Sequence, residues 1–496
     1  MKKIIAMVLV LLLLAGCTAG AGETSAPPET TLPAETSAPE TMVPDTTAPG
    51  TEPATEPSEP SMFADYTYRH TDARDKAWEE DIVYLTKVLL GENVTKGHPY
   101  LQDKDFSIYT LKNGYQAITT GNFYNKTLRD EFIAAMDQLI DAIPSLTDNQ
   151  ITFEMQANLA LLKDLHTSIV VDSDSVLPVF FEVLWDENGP GLYAVRVPEA
   201  YGEGLWLRLD SINGVSVEEI LQNLSGYISA ENEYAAAWQI GSIWSASYIS
   251  YPCVLAAIGV MELDDASAEY VLEREDGSFL TMEIPVISWS EYQNYFMYAG
   301  DFLFYETLMY TDFGTDNYWY QVLEEDGLLY IRFNRFDREE DCWYPEFVRQ
   351  IDELLRNSEG ITKIAVDVRG NGGGIAFEYA DELIGSFESA GMENVYVLID
   401  AGTYSASINL ASYFRMNMES VQIVGTPGGQ PANFWGGVQG FQLPNSGLYF
   451  QRPSTFCMNI PEDETDALMP DIIIYQTIGD YRNQIDTVLE AVKDFD

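Results

Sequence analysis

The sequence predicts an α/β fold, in which short strands of one sheet are joined by crossover helices. Residues 364–368, 395–399 and 421–424 are short, largely apolar runs, and a segment with helical character separates each run from the next. Glycine- and serine-rich loops follow the first two runs. Upstream, helical periodicity comes first and hairpin-like alternation second. The α/β region should therefore be preceded by a helical unit and by a β-rich unit.

The composition is that of a globular protein. The chain has 496 residues, of which 46% are hydrophobic, and at about 150 residues per domain this length suggests two or three folded units. The formal net charge of -52 would repel phosphate groups, so we expect neither a nucleic-acid partner nor an electrostatic membrane contact. The three histidines, His70, His98 and His166, are too few for a Cys/His or multi-His zinc site. We expect no metal and no organic cofactor.

Residues 1–17 have the pattern of an export signal. Two lysines precede a short apolar run, which ends in Leu14-Ala15-Gly16-Cys17. This ending looks like a bacterial lipobox and predicts cleavage before Cys17 and a diacylglyceryl group on its thiol, with an ordinary cleavage site as the alternative. Residues 18–62 are rich in Thr, Pro and Glu and contain no Lys or Arg, which is typical of a disordered tether. The protein should be an extracytoplasmic or cell-surface lipoprotein that contacts a membrane through its lipid alone.

The folded part is predicted to begin with a helical unit at residues 63–165. Apolar residues recur there at helical spacing in three segments, residues 75–90, 128–143 and 151–165. A β-rich unit follows at residues 166–300, in which alternating runs on both sides of polar turns predict hairpins over 179–197 and 268–284. Each hairpin turn contains Gly.

The α/β unit is predicted to occupy residues 301–496. It opens with a hairpin of strands 318–323 and 328–333 around Asp326-Gly327 and continues with the three apolar strands already described. Ligand sites in sheets of this kind lie at the carboxyl ends of the strands. Two loops at those ends are therefore candidates for chemistry.

The first candidate loop is Gly370-Asn371-Gly372-Gly373-Gly374. Consecutive glycines at a helix N-terminus let backbone N–H groups converge on a negative charge, which is either a phosphate or the oxyanion of an acyl-transfer reaction. No Gly-Lys-Ser/Thr follows, and Ile375 stands where a dinucleotide motif has its last glycine, so the phosphate interpretation is weak. A simple tight turn is the structural alternative.

The second candidate loop, residues 402–407, contains Ser405. This serine follows a strand and precedes an apolar-periodic run, so its hydroxyl should lie on a sharp turn with the N–H of Ala406 free to donate. The alternative role of Ser405 is that of a helix N-cap. A serine nucleophile also needs a base, and no lysine occurs between Asn371 and Val492. His166, at the junction of the first two units, is the candidate base, and a buried structural histidine is its alternative.

At these loops the chain resembles the tail-specific, or C-terminal-processing, serine protease superfamily, whose core is crotonase-like. Over residues 319–496 the likeness lies in five segments that follow in order, residues 364–374, 403–407, 423–429, 443–446 and 470–472. A weaker likeness extends to Leu165-His166-Thr167 and to residues 211–215. Residues 205–221 resemble only the end of a PDZ module. The resemblance implies a crotonase-like core after a helical unit and a partly PDZ-like unit.

The resemblance implies an acyl-enzyme peptidase with Ser405 as nucleophile. The oxyanion hole would consist of the N–H of Ala406 and that of Gly372 or Gly373. The superfamily's processing proteases carry a lysine near the position that Gln430 occupies here. A subset similar to the tricorn protease core instead uses a histidine from an earlier segment.

By that likeness His166 would accept the Ser405 proton and return it to the leaving amine. A carboxylate should orient the imidazole, and Glu464 and Asp466 are the candidates, with a solvated acidic loop as the alternative. The predicted function is thus a lipid-anchored serine-type peptidase with a peptide or protein substrate. A catalytically inactive peptide- or ligand-binding protein is the alternative from another class, and an esterase would use the same groups. The sequence makes no prediction about oligomeric state.

Overall fold

The computed structural model describes residues 71–90, 107–110, 116–119, 126–169, 173–242, 247–292, 302–303, 308, 316–339, 342–375 and 379–495. The predicted export signal with Cys17, the predicted tether, and His70 and His98 lie outside the described residues. None of the described helices is both long enough and apolar enough to cross a membrane.

Three helices and a small hairpin open the described chain. In order they are α1 (Asp72–Leu89), β1 (Ser107–Thr110), β2 (Gln116–Thr119), α2 (Lys126–Ala142) and α3 (Asp148–Ala160). Thr71 caps α1 by accepting the Arg74 N–H, and Thr147 forms a reciprocal capping box with Gln150 at α3. The sequence predicted all three helices, but the third ends at Ala160 instead of residue 165. The backbone leaves the helix because Lys163 takes a positive φ of 49°.

A mainly antiparallel region follows. Its strands are β3 (Ser168–Ile169), β4 (Ser175–Val176), β5 (Phe180–Asp186), β6 (Gly189–Pro198), β7 (Arg208–Ile212), β8 (Val215–Ser216), β9 (Ser267–Glu273), β10 (Phe279–Pro285), β11 (Ile287–Ser288) and β12 (Phe302–Leu303). Its helices are α4 (Val217–Ser225), α5 (Glu233–Gly241) and α6 (Pro252–Ala257). The main sheet has the order β10-β9-β7-β6-β12, with β5 paired to β6. Both predicted hairpins, β5–β6 and β9–β10, are confirmed.

The C-terminal region is the predicted α/β sheet. Its elements are β13 (Tyr318–Leu323), β14 (Leu328–Phe333), α7 (Tyr344–Asn357), β15 (Lys363–Asp367), α8 (Ala380–Ser389), β16 (Asn394–Ile399), α9 (Ala406–Asn417), β17 (Val421–Gly425), β18 (Asn433–Gly436), β19 (Gln439–Gln442), β20 (Tyr449–Arg452), β21 (Thr455–Met458), β22 (Ile472–Ile473), α10 (Ile478–Arg482) and α11 (Thr487–Asp494). The sheet order is β13-β14-β15-β16-β17-β22, and all pairs after β13–β14 are parallel.

Helices cover both faces of this sheet, which explains its nearly continuous apolar strands. On β14, Leu329 and Ile331 belong to the core that also contains residues of α7, α8 and α9, whereas Leu328 and Tyr330 belong to the core with α11. Side chains on one strand thus alternate between two buried faces. The α/β class predicted from the sequence is confirmed.

The N-terminal helices share their core with the C-terminal part of the chain. Buried side chains of α1, α2 and α3 lie in one cluster with Phe441, Leu443 and Phe450. The buried Asp81 carboxylate accepts the N–H groups of Asn445 and Ser446, at 2.8 and 2.7 Å. Strands β2 and β3 also pair with β21 and β20. The division of the folded chain at residues 166 and 301 stays a prediction, and these contacts cross it.

Candidate active site

Ser405 lies on the turn that joins β16 to α9. Its φ of 57° and ψ of −116° are unusual for a residue other than glycine. Its side chain makes no capping hydrogen bond to α9, although it occupies the N-cap position, so the N-cap alternative does not explain this serine. The Ser405 N–H donates to Gln430 Oε1 at 2.7 Å, which helps to hold the strained turn. Such a turn directs a serine hydroxyl away from its own backbone.

His166 lies next to this hydroxyl. The distance from His166 Nε2 to Ser405 Oγ is 3.1 Å, which is within hydrogen-bond reach. The ring is 3% exposed and lies between the rings of Tyr404 and Phe434. Asp164 shapes the loop, because its carboxylate accepts hydrogen bonds from the backbone N–H of His166 at 3.2 Å and from the Thr167 hydroxyl at 2.6 Å. The structure therefore brings together the two residues from which the sequence predicted a nucleophile and its base.

Three groups face the other ring nitrogen, His166 Nδ1. The Tyr404 hydroxyl is 3.3 Å away, Gln430 Nε2 is 3.4 Å away, and Asp164 Oδ1 is 3.5 Å away. Tyr404 donates its proton to Glu231 Oε1 at 2.8 Å, so a lone pair of the phenol oxygen is left for an Nδ1–H. With the proton on Nδ1, the Tyr404 oxygen and Asp164 Oδ1 are its acceptors, and Nε2 is free to accept a proton from Ser405.

Glu231 is a site residue that the sequence analysis missed. Burial, and then the charge of Asp164, raise its pKa to about 8, while hydrogen bonds from Gln430 and Tyr404 act in the opposite direction. Glu231 directly precedes Asn232, which caps α5. In the sequence the available signal was that the apolar segment 227–259 contains only two charged residues, Glu231 and Glu233.

The carboxylates predicted to orient His166 do not do so. Glu464 and Asp466 are both exposed, and neither is among the partners of the His166 ring in the described part of the chain. Only the backbone oxygen of Asp466 reaches toward the site region, where it accepts Asn232 Nδ2 at 2.8 Å. The exposure of both side chains is that of a solvated acidic loop, the alternative that the sequence analysis gave. Asp164 and Glu231 are the carboxylates near the ring.

A metal ion is a second use to consider for these groups. Ligand atoms of Asp164, His166 and Glu231 lie within 4.8 Å of one another. Tetrahedral zinc would need ligand atoms about 3.4 Å apart, given bonds of about 2.1 Å. Both carboxylates already accept hydrogen bonds from Thr167, Tyr404 and Gln430. The arrangement fits a network around the histidine better than it fits an ion.

The glycine loop packs directly against Ser405. A Cβ atom on Gly373 would lie 2.7 Å from the Ser405 Cβ, and Gly373 has a φ of 105°, so no other residue fits this position without strain. The Gly373 N–H donates to Asn371 Oδ1 at 2.8 Å. Within the described residues, the N–H groups of Gly372 and Ala406 have no protein acceptor. Of the three predicted oxyanion donors, Gly372 and Ala406 are therefore free, whereas Gly373 is engaged within its own loop.

A buried ionic network supports the base of this loop. Arg369 donates to Asp367 through Nε and to both oxygens of Asp486, at 2.8 and 2.7 Å. Arg332 and Tyr330 also donate to Asp367. Burial by itself would raise the pKa of Asp367, but Arg369 and Arg332 lower it below its ordinary value. Asp486 in turn caps α11, so the network links the glycine loop to the C-terminal helix.

Asp400 connects the glycine loop to the serine turn. Its Oδ1 accepts the N–H of Gly370 at 2.7 Å and that of Gly402 at 2.9 Å. Glu182, on β5, interacts electrostatically with Asp400, and burial followed by this charge raises the pKa of Glu182 to about 8. Within the described residues, Glu182 Oε2 is buried and has no hydrogen-bond partner. Near neutral pH the folded protein should therefore hold Glu182 in its uncharged form.

Replacing Glu182 with glutamine is expected to reduce the pH dependence of stability. Because the pKa is raised, the folded state keeps a proton that the unfolded state loses between about pH 4.5 and 8, so Glu182 lowers stability as the pH rises through this window. Relative to the wild type, Glu182→Gln should gain roughly 1–3 kcal/mol in free energy of unfolding between pH 5 and pH 8.5. Urea unfolding at both pH values measures this difference. The exposed Glu187 gives the control Glu187→Gln, and an equal gain there would contradict the assignment.

Known structures of similar fold were found, although no protein-family model and no curated sequence matches the chain. Mature CPAF complexed with lactacystin aligns over 85% of this chain and 97% of its own, at 12% identity and a TM-score of 0.54. Mature CPAF alone gives 85% and 96% coverage, 13% identity and a TM-score of 0.53. The tricorn protease aligns over 75% of this chain and 35% of its own, at 14% identity and a TM-score of 0.34.

CPAF is a peptidase of the tail-specific type. At 12–13% identity its likeness to this chain concerns the fold and not the activity. The α/β fold class is confirmed, and the chain has the fold of CPAF.

Proposed function

We propose that the protein is a serine-type peptidase that forms an acyl-enzyme on Ser405. Ser405 Oγ attacks the carbonyl carbon of the substrate while His166 Nε2 takes the hydroxyl proton. The C–N bond breaks as His166 returns that proton to the leaving amine. A water molecule, activated by the same nitrogen, then attacks the ester and releases Ser405 with its proton restored. The N–H groups of Gly372 and Ala406 are the proposed donors to the oxyanion of both tetrahedral intermediates.

The observation that carries this proposal is the 3.1 Å contact between Ser405 Oγ and His166 Nε2. The serine is held on a strained turn without a capping role, and the histidine comes from a loop 239 residues earlier in the chain. A protein that only binds a ligand has no need for this strain or for an Nδ1–H that leaves Nε2 free. The geometry therefore favours catalysis over the inactive binding protein of the same fold.

A fluorophosphonate probe tests the nucleophile. The wild type should be labelled, and Ser405→Ala should not be labelled, because the probe forms its bond with an activated serine hydroxyl. Ser412→Ala changes another serine of α9 and should keep full labelling. Absence of labelling in the wild type would instead support the binding protein. Digestion of a peptide library separates a peptidase from an esterase, which would hydrolyse only ester substrates.

We also propose that the protein is exported and anchored by a lipid on Cys17, as its lipobox-like sequence suggests. Expressed in a bacterial host with radiolabelled palmitate, the wild type should incorporate the label and remain with the membrane fraction. Cys17→Ser should do neither. Incorporation into the Cys17→Ser variant would show that this cysteine is not the lipid attachment site.

A further inference from the structure

A single acidic residue of the apolar segment 227–259 points into the active site. Of the two charged residues there, Glu233 is exposed at the start of α5, whereas the Glu231 carboxylate contacts site residues. Asn232, between them, fastens the segment to the α/β unit, because its Nδ2 donates to the backbone oxygens of Gly428 and Asp466. The position of Glu231 is therefore fixed relative to Ser405 and His166.

Glu231 Oε1 accepts two hydrogen bonds, and both donors also contact the reacting groups. Tyr404 donates at 2.8 Å and lies 3.3 Å from His166 Nδ1. Gln430 Nε2 donates at 2.5 Å, and this fixes the amide so that Gln430 Oε1 accepts the Ser405 N–H. One carboxylate thus sets the direction of the Tyr404 proton and the orientation of the Gln430 amide.

Asp164 is the other carboxylate near the ring, but its geometry is different. Its Oδ1 is 3.5 Å from His166 Nδ1, farther away than the Tyr404 hydroxyl. The same oxygen already accepts the backbone N–H of His166. Its Oδ2 accepts the Thr167 hydroxyl. Asp164 therefore mainly shapes its own loop, and the Tyr404 hydroxyl is the nearer acceptor for an Nδ1–H.

We propose that Glu231 is a positioning residue that acts through Tyr404 and Gln430: it keeps the proton of His166 on Nδ1 and holds the Ser405 turn. The inference rests on the proposed function for its effect on rate, but its effect on the histidine can be observed without any activity. Without the Glu231 acceptor, the Tyr404 hydroxyl is free to donate to Nδ1. His166 would then carry its proton on Nε2, where it cannot accept one from Ser405.

The same arrangement predicts a pH effect. Among the residues that the structure describes, the titratable groups in contact with the Glu231 side chain or the His166 ring are Asp164, on the loop after α3, and Tyr404, on the serine turn. Glu231 has a pKa raised to about 8 by burial and by Asp164. Its ionisation adds negative charge beside the ring and favours the imidazolium that forms as Ser405 attacks. The rate should therefore rise as the pH passes through about 8.

The first experiment records nitrogen NMR spectra of the full chain carrying His70→Asn and His98→Asn, so that His166 is its only histidine. We expect Nδ1–H in the parent protein and a shift toward Nε2–H in Glu231→Ala and in Tyr404→Phe. Tyr404→Phe removes the hydroxyl but keeps the ring, which covers the case in which Glu231→Ala unfolds. A parent protein with its proton on Nε2, or variants that keep Nδ1–H, would overturn the inference.

The second experiment measures the rate constant for fluorophosphonate inactivation between pH 6 and 9.5. At pH 9, above the pKa of about 8 that burial and Asp164 give Glu231, Glu231→Gln and Tyr404→Phe should each react about 10- to 100-fold more slowly than the wild type, as expected for partial loss of general-base catalysis. Glu231→Gln should also lose the rise near pH 8, which a purely structural role of Glu231 would leave in place. Glu231→Asp should recover part of the rate, and Glu233→Gln should match the wild type. Unchanged rates and pH profiles in Glu231→Gln would contradict the inference, whereas an unreactive wild type would contradict only the proposed function.

Discussion

Replacing His166 with alanine should lower kcat/KM for a cleavable peptide by about 10⁴- to 10⁶-fold. Within the described chain, the His166 ring is the only basic side chain in hydrogen-bonding contact with Ser405 Oγ. Its loss leaves the hydroxyl without a proton acceptor, and oxyanion donors supply the residual rate. The measurement is steady-state hydrolysis of a peptide found in the library digest, with thermal melting to establish that the variant is folded.

The double variant Ser405→Ala/His166→Ala provides the internal check. Residues that act as one unit show effects that do not add, so the double variant should be about as slow as either single variant. If the rate loss of the double variant equalled the product of the two single losses, the two residues would act independently. If His166→Ala retained a tenth or more of wild-type kcat/KM, another base would have to serve Ser405.

Replacing Arg369 with methionine should lower the free energy of unfolding by about 3–5 kcal/mol. Methionine fills much of the same space but leaves Asp367 and Asp486 buried without their shared cation. Both carboxylates are at least nine-tenths buried, so water cannot replace the lost hydrogen bonds. Urea unfolding of the inactive Ser405→Ala background measures the loss without self-digestion.

An exposed arginine supplies the matched control. Arg356 pairs with Asp352 one helical turn away on α7, and its side chain is 68% exposed. Arg356→Met should change stability by less than about 1 kcal/mol, because surface ion pairs are largely solvated in both states. Similar losses in the two variants would show that the buried network contributes no more than a surface pair.

The sequence predicted the sheet well for a physical reason. Strands β13 and β14 have the bounds predicted for them, and Gly327 between them takes the positive φ that their turn requires. Strands β15 and β16 are buried along almost their whole length and β17 at its C-terminal end, which produces the largely apolar runs that local sequence reveals. The predicted end of the third helix at residue 165 was wrong, because Leu162 is buried although it lies outside the helix. Apolar spacing indicates burial and does not distinguish a helix from a turn that packs.

The candidate site was predicted in part. Ser405 and His166 could be selected because the glycine loop, the missing lysine and the family resemblance each limited the choice. The acidic partner of the histidine could not be selected from the sequence, because Glu464, Asp466 and Glu231 differ in burial and not in local pattern. Glu231 reaches His166 through Tyr404 and Gln430, and no spacing rule relates residues so far apart in the chain. Two glutamates, Glu231 and Glu233, in the otherwise uncharged segment 227–259 were the available signal.

The contacts between the first helices and strands β19 and β20 bear on how the molecule is made. When synthesis has reached the end of α9, both His166 and Ser405 have been made, but Phe441, Phe450 and Asp486 have not. The helices that precede His166 then lack part of their hydrophobic core, and Arg369 lacks one of its two carboxylate partners, Asp486. A chain that stops after α9 should therefore hold the two reacting side chains less firmly than the folded molecule does.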